Sequence, residues 1–311
     1  MGDVLMNLPA IRVLRQAYPK SWITLALDRS LDGLLNEHPD LDEVILIDAT
    51  KLKESGSSRR EFRREIRRGH FDLAVVSNPE KWVHLSVFLA GIPARIGWRR
   101  KWGFFLTRSL NDKKTGRHEI DSNLALVGLV TDKSWDEDLT LSVDQESLSF
   151  VDALLVEENA GERLIVIHPG TSNPAKRWAP ERFAEASAHF QKKGFSVVLI
   201  GGSEEAAAAE AVIRCAVTAP LDLTGRLDLR QLKAFLAHPK VKILISSDSG
   251  PVHIAWMQKK PVVALYSKEA EGSDPIRWGP RNANTRTVHD FMASITVAKV
   301  CALAEELLAG S

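Results

Sequence analysis

The stretch that decides the fold is Leu164-Ile165-Val166-Ile167-His168-Pro169-Gly170-Thr171-Ser172-Asn173-Pro174-Ala175-Lys176-Arg177-Trp178, followed by Ala179-Pro180-Glu181. The unbroken apolar run over Leu164–His168 reads as a strand with both faces covered, as in a parallel sheet. The small and polar residues after it read as a loop, and Pro180 with Glu181 opens a helix over Pro180–Lys193. A strand delivered to a helix through such a loop is half of a βαβ unit.

Outward from this unit the pattern repeats. Downstream, Ser196–Ile200, Val241–Ser246 and Pro261–Leu265 read as strands, with Glu204–Cys215, Leu229–Ala237 and Val252–Met257 as the helices between them. Upstream, the strands Trp22–Leu27, Val44–Ile47 and Leu73–Val76 alternate with helical patterns over Leu31–Glu37 and Arg59–Arg68. The alternation pauses in the polar stretch Val156–Arg163, so we expect two α/β domains, residues 1–158 and 159–311, each Rossmann-like around a parallel sheet. A last amphipathic helix over Val297–Leu308, about residues 297–308, is free to pack back on the first domain. Helical periodicity already governs Val4–Ala17, immediately after Gly2-Asp3, so the first strand of a doubly wound domain reads as missing ahead of it.

Composition sets outer limits. The 41 Lys+Arg nearly balance the 40 Asp+Glu and 44% of residues are hydrophobic, which describes a globular protein, not a disordered or nucleic-acid-coating chain. Cys215 and Cys301 lack any CxxC or Cys/His spacing, so neither a zinc site nor a disulfide framework is expected, and a reducing cytoplasm suits the chain. No apolar run approaches the roughly 18 residues of a membrane-spanning helix.

The chemistry concentrates at the strand ends of the second domain, where open α/β sheets bind ligands. Thr171 and Ser172 offer hydroxyls and Lys176 a cation, a set suited to a diphosphate; the plainer reading of Lys176 alone is a solvated side chain. In Ser247-Asp248-Ser249-Gly250-Pro251-Val252-His253, Gly250 permits close approach and the following helix aims free N–H groups at the loop, so an anion is expected there. Asp248 either caps that helix or accepts ribose or sugar hydroxyls. His253 is either a phosphate donor or a packed helix residue. Glu204, after Gly201-Gly202-Ser203, either accepts ribose hydroxyls or merely favours a helix N-terminus.

Four runs in order, GDVLMNLPAIRVLRQAYP at Gly2–Pro19, HPGTSNPAKRWAPERFAE at His168–Glu185, GGSEE at Gly201–Glu205 and SDSGPVHIA at Ser247–Ala255, resemble the signature set of the ADP-heptose:lipopolysaccharide heptosyltransferases, glycosyltransferase family 9. The resemblance implies a GT-B architecture, two Rossmann-like domains facing across a cleft, with the sugar nucleotide on the C-terminal domain and the acceptor on the N-terminal one. It implies an inverting, metal-independent enzyme with no cofactor, an ADP-heptose donor, and a catalytic base at Asp3. It sets Lys176 on the diphosphate with Thr171, Ser172, Ser249, Gly250 and His253 around it, Leu227 along the adenine, and Glu204, ahead of Glu205, on ribose or sugar. After the strand Pro261–Leu265 this chain has Ser267-Lys268-Glu269, where the family commonly has Gly-Pro-Thr.

Asp3, just before a helical pattern, also suits a helix cap. The triplet Asp136-Glu137-Asp138 has the spacing of a metal-binding DxD, but it lies far in sequence from the phosphate loops and reads as a solvated turn. On the acceptor side, Arg60, Arg63, Arg64 and Arg67 share one helix face while Phe62 and Ile66 turn inward. Arg95–His118 adds eight Lys/Arg against one acid, Asp112, with Trp98, Trp102, Phe104 and Phe105 interleaved. Arg60, Arg63, Arg64, Arg99 and His118 are therefore the candidates for an acidic lipid-linked saccharide, with peripheral contact to an inner membrane and no nucleic-acid partner. A GT-B transferase for another sugar nucleotide, or an inactive sugar-nucleotide-binding protein, is the alternative; no strand-borne GxGxxG supports a nicotinamide dehydrogenase.

Overall fold

A computed structural model of the chain describes residues 1–77, 80–100, 102–111, 116–135 and 141–310. Contacts divide it into two compact units: residues 1, 3–32 and 38–139 form the first, and residues 2, 33–37 and 140–311 the second. The division thus falls about twenty residues ahead of position 158. Its cause is the helix Gln145–Glu157, which buries Val151, Leu154 and Leu155 and packs within the second unit.

The first unit runs α1 Gly2–Leu5, α2 Leu8–Ala17, β1 Thr24–Asp28, β2 Glu43–Ile47, α3 Ala49–Glu54, α4 Gly56–Arg68, β3 Leu73–Val76, α5 Lys81–Leu89, β4 Ala94–Arg99, β5 Arg108–Asn111 and α6 Glu119–Val127. All its strand pairs are parallel, β1 with β2 and β3 with β4 with β5, in two separate sheets. Phe62 and Ile66 of α4 are buried with Val76 and Trp82, as the arginine-flanked apolar spacing predicts. Ala10 and Val13 of α2 pack with Val127 of α6 and Val75 of β3.

Two helical expectations in the first forty residues fail for local reasons. The pattern over Val4–Ala17 is split into α1 and α2 at Met6–Asn7. Pro9, in the first turn of α2, has no N–H to give the Leu5 carbonyl, and its ring crowds that carbonyl. The pattern over Leu31–Glu37 is a run of turns after a short 3-10 turn capped by Asp28. Gly33 at φ +85 and Glu37 at φ 56 lie in the left-handed region that an α-helix does not use.

The second unit runs α7 Gln145–Glu157, β6 Leu164–His168, α8 Pro180–Lys192, β7 Ser196–Leu199, α9 Ala206–Cys215, β8 Leu221–Asp222, α10 Leu229–Ala237, β9 Val241–Ser247, α11 Gly250–Met257, β10 Val262–Ser267, α12 Pro275–Trp278, β11 Thr285–Asp290 and α13 Val297–Ala309. Its six parallel strands lie in the order β11-β10-β9-β6-β7-β8. Every residue of β6 is buried, which is why the strand reads as a continuous apolar run. The C-terminal helix does not lend its apolar face to the first domain: Val300, Cys301, Ala304 and Leu307 of α13 enter the second unit's own core with Phe183 and Phe190 of α8. Both cysteines are free, and burial raises the Cys301 thiol to about 11. Among the described residues no helix is long and apolar enough to cross a membrane.

Candidate functional site

The strand order of the second unit locates its site. From β6 the chain steps one way to β7 and β8, then returns to β9 on the other side and continues to β10 and β11. The reversal opens a crevice beyond the carboxyl ends of β6 and β9, the place where open α/β sheets take ligands. His168 pairs in register with Ser246, so the loop after β6 and the loop after β9 start level with each other.

Lys176, held in a 3-10 turn that Asn173 caps, reaches across to the second loop and donates to Asp248 at 2.7 Å. The Lys176 side chain is 19% exposed and that of Asp248 8%, so a cation sits at the mouth of the crevice on a carboxylate beneath it. Ser249 and not Asp248 is the N-cap of α11, and the Asp248 carboxylate instead carries the Lys176 ion pair. Helix α11 starts at Gly250 with Ser249 as N-cap and Pro251 in its first turn, and the Ser249 side chain makes no capping hydrogen bond to its first N–H groups. Those groups and the helix dipole form an anion-attracting end beside the cation.

Ser249 is turned inward. His168 is buried, with Nδ1 3.1 Å from the hydroxyls of both Ser246 and Ser249, and Nε2 2.9 Å from Glu205. Ser246 donates to the Ser247 carbonyl and lies 2.9 Å from the Ser249 hydroxyl, so the two serines and the ring form one hydrogen-bonded cluster. A carboxylate only accepts, so Nε2 carries the proton toward Glu205. Burial pushes the Glu205 carboxyl upward, but the hydrogen bond and charge of His168, the Gly202 N–H at 3.0 Å and Arg177 together hold it below its ordinary value. The network ties the loops after β6, β7 and β9 into one body. A Cβ on Gly170 would lie 2.2 Å from the Glu205 carboxylate, so a larger residue there must push that carboxylate off its place beside His168.

Glu205 is therefore an internal strut, whereas Glu204 is exposed at the rim, which favours Glu204 as the ligand-facing acid. Thr171 is buried and Ser172 exposed in the loop after β6; His253 is buried in the first turn of α11. Leu227 is half-buried in the loop after β8, which Gly225 joins to the loop after β7 by an N–H donated to the Gly201 carbonyl. The hydroxyls of Thr224 and Ser247 in these segments have no partner among the described residues. The Ser267-Lys268-Glu269 turn is held from inside, since Ser267 accepts from the Glu269 N–H and its own N–H donates to Ser273. His168 and Ser246 are the members that residue-type reasoning overlooked. Their signal is a histidine ending an apolar strand directly before Pro-Gly.

In the first unit, Asp3 is exposed in α1, and its carbonyl accepts from the Asn7 side chain. Arg60 and Arg64 are exposed on α4, Arg63 is half-buried there, and Arg99 is exposed at the end of β4. His118 differs from expectation: it is buried as N-cap of α6, where Nδ1 accepts from the Ile120 N–H. The ring thus serves the start of α6 as a structural cap. Asp136-Glu137-Asp138 lies outside the described residues.

The structure matches that of the glycosyl transferase family 9 protein from Veillonella parvula with a TM-score of 0.91 and 27% identity, covering 100% of this chain and 95% of that one. It also matches Escherichia coli ADP-heptose lps heptosyltransferase II with a TM-score of 0.82 and 24% identity, over 99% and 96% of the two chains. The fold is thus that of the GT-B heptosyltransferases, and the protein is a glycosyltransferase. Residues 59–306 match the family described as Glycosyltransferase family 9 (heptosyltransferase). Lipopolysaccharide heptosyltransferase 2 of Salmonella typhimurium is 26% identical over 292 residues, 88% of this chain and 82% of that protein. The chain belongs to glycosyltransferase family 9.

Proposed function

We propose that this protein moves a heptose from ADP-heptose to an acidic inner-core saccharide of lipopolysaccharide, with inversion and without a metal ion, at the cytoplasmic face of a membrane. The observation that carries the reading is the cation at the crevice mouth: Lys176, resting on Asp248 beside the start of α11. A diphosphate entering there would take Lys176 from Asp248 and free that carboxylate for sugar hydroxyls. Thr171, Ser172, His253 and the main chain at Ser249 and Gly250 complete the phosphate shell; Glu204 accepts from ribose or sugar, and Leu227 lines the adenine.

In the reaction an acceptor hydroxyl oxygen bonds to the anomeric carbon while the bond from that carbon to the β-phosphate oxygen breaks, and ADP departs from the opposite face. Asp3 takes the proton of the hydroxyl. The charge developing on ADP is met by Lys176 and the α11 N-terminus, the role a metal ion plays in other transferases. Arg60, Arg63, Arg64 and Arg99 recognise the acidic acceptor.

A transfer assay offering ADP-heptose and UDP-sugars in parallel tests this, and preference for a UDP-sugar would overturn the donor. Such a preference is the second reading, favoured by the Ser267-Lys268-Glu269 turn. Activity surviving EDTA is expected. Asp3→Ala should abolish transfer and leave ADP affinity within a few-fold; a large loss of ADP affinity would contradict the separation of roles.

A further inference from the structure

The first unit carries a second concentration of chemistry. The turn after β4 projects Trp102 and Phe104, 39% and 77% exposed, next to Phe88 and Leu89 at the end of α5, 43% and 42% exposed. These are not scattered apolar residues. Phe105 joins them, with its ring centroid 4.8 Å from Phe88, 4.4 Å from Phe104 and 6.2 Å from Trp102. Trp102 stands at φ 67, a backbone region that bulky residues avoid, so the turn holds the indole outward at a conformational cost.

Cations surround this aromatic tip. Lys81 lies 5.8 Å from the Trp102 ring and the Arg95 guanidinium 5.4 Å from the Phe88 ring. Arg67 donates to the Leu89 carbonyl, which joins the tip to α4, whose sequence GSSRREFRREIRR leaves Arg60, Arg64 and Arg68 exposed. The acids nearby are fewer: Glu61 and Glu65 on α4, and Glu80, which Lys53 approaches at 3.6 Å. The whole chain is close to neutral, 41 basic against 40 acidic residues, so the excess here is local.

We propose that this tip is the membrane-docking surface of the protein: Phe104 and Trp102, with Phe88 and Leu89, enter the boundary between headgroups and acyl chains of a bilayer rich in anionic lipid, and the surrounding Arg and Lys side chains meet the lipid phosphates. Aromatic rings favour that boundary, and basic groups around an apolar wedge match its negative potential. A second copy of the chain is the poorer occupant, because a twofold contact through this patch would set like charges against each other. The inference deepens the proposed function, since it rests on that reading for why an acceptor held in a membrane needs such a surface.

The test is co-sedimentation of the full chain with vesicles of phosphatidylcholine alone and of phosphatidylcholine with phosphatidylglycerol, without donor or acceptor. Binding to the anionic vesicles, weakened by salt, is expected. Phe104→Asp should reduce it about tenfold or more, and Lys81→Glu should reduce it on anionic vesicles, with the melting temperature of each variant unchanged. No binding by the wild type, equal binding to both vesicle types, binding by Phe104→Asp at the wild-type level, or a wild-type dimer that Phe104→Asp dissolves would each overturn the proposal. Transfer to a water-soluble, delipidated acceptor should be the same for wild type and Phe104→Asp. Absence of transfer by the wild type in that assay sinks the functional reading and leaves the vesicle result standing.

Discussion

Lys176 and Asp248 hold each other across two loops with little exposure on either side, so each substitution has two consequences. Lys176→Ala removes a charge-assisted contact to the diphosphate and should weaken ADP binding about ten- to hundredfold by calorimetry. It also strands a mostly buried carboxylate and should lower stability by about 1–3 kcal/mol in denaturant titrations. Lys176→Met with Asp248→Asn should recover that stability and not the ADP affinity. Full recovery of ADP affinity in the double variant would show that the cation has no part in binding. The proposal of Lys176 as a diphosphate partner comes from its loop alone. The pairing with Asp248 was not legible there, because residues 176 and 248 meet only through the neighbouring placement of β6 and β9.

At the scale of elements, the βα units were readable wherever a strand is buried on both faces. Leu164–His168, buried throughout, begins and ends as its apolar run predicts, as does Leu73–Val76, of which only Val76 is fully buried, and the α4 pattern correctly turned Phe62 and Ile66 inward. Periodicity failed where a single residue overruled it, at Pro9 in the first turn of α2 and at Gly33 in the turns before Glu37. The loop after β6 depends on another such residue. Gly170→Ala would drive a methyl group into the Glu205 carboxylate and separate it from His168. The expected cost is about 1–3 kcal/mol of stability, with weaker ADP binding; a variant as stable as the wild type would show that the strut is dispensable. His118 has a use its sequence context did not suggest: a histidine in a basic stretch has the composition of a binding site, but the start of α6 takes its Nδ1 as a cap.

Across the whole molecule, stability and ligand response should divide by unit. The Glu205 carboxyl is depressed in the folded protein relative to its ordinary value of 4.5. Its contribution is therefore fully present above that value and is lost as pH falls through the lower folded value. Acid denaturation of the second unit should steepen in that window, and Glu205→Gln should flatten the profile; identical profiles would remove Glu205 from the strut. ADP should slow amide exchange in residues 169–178, 201–205 and 247–253 and leave α4 unchanged. Protection centred on α4 would put the nucleotide in the wrong unit.

The sequence by itself determined the βα alternation, which residue types each strand-end loop presents and the family, because all of these are carried by residues close together in the chain. Only the tertiary structure decided which loops meet, that Glu205 is a strut and Glu204 a rim residue, that α7 and α13 serve the second unit, and that Phe88, Trp102 and Phe104 share one exposed tip. Those outcomes follow from strand order and burial between residues distant in sequence, and no local pattern encodes the distance from Lys176 to Asp248 or the path of α13 back onto α8.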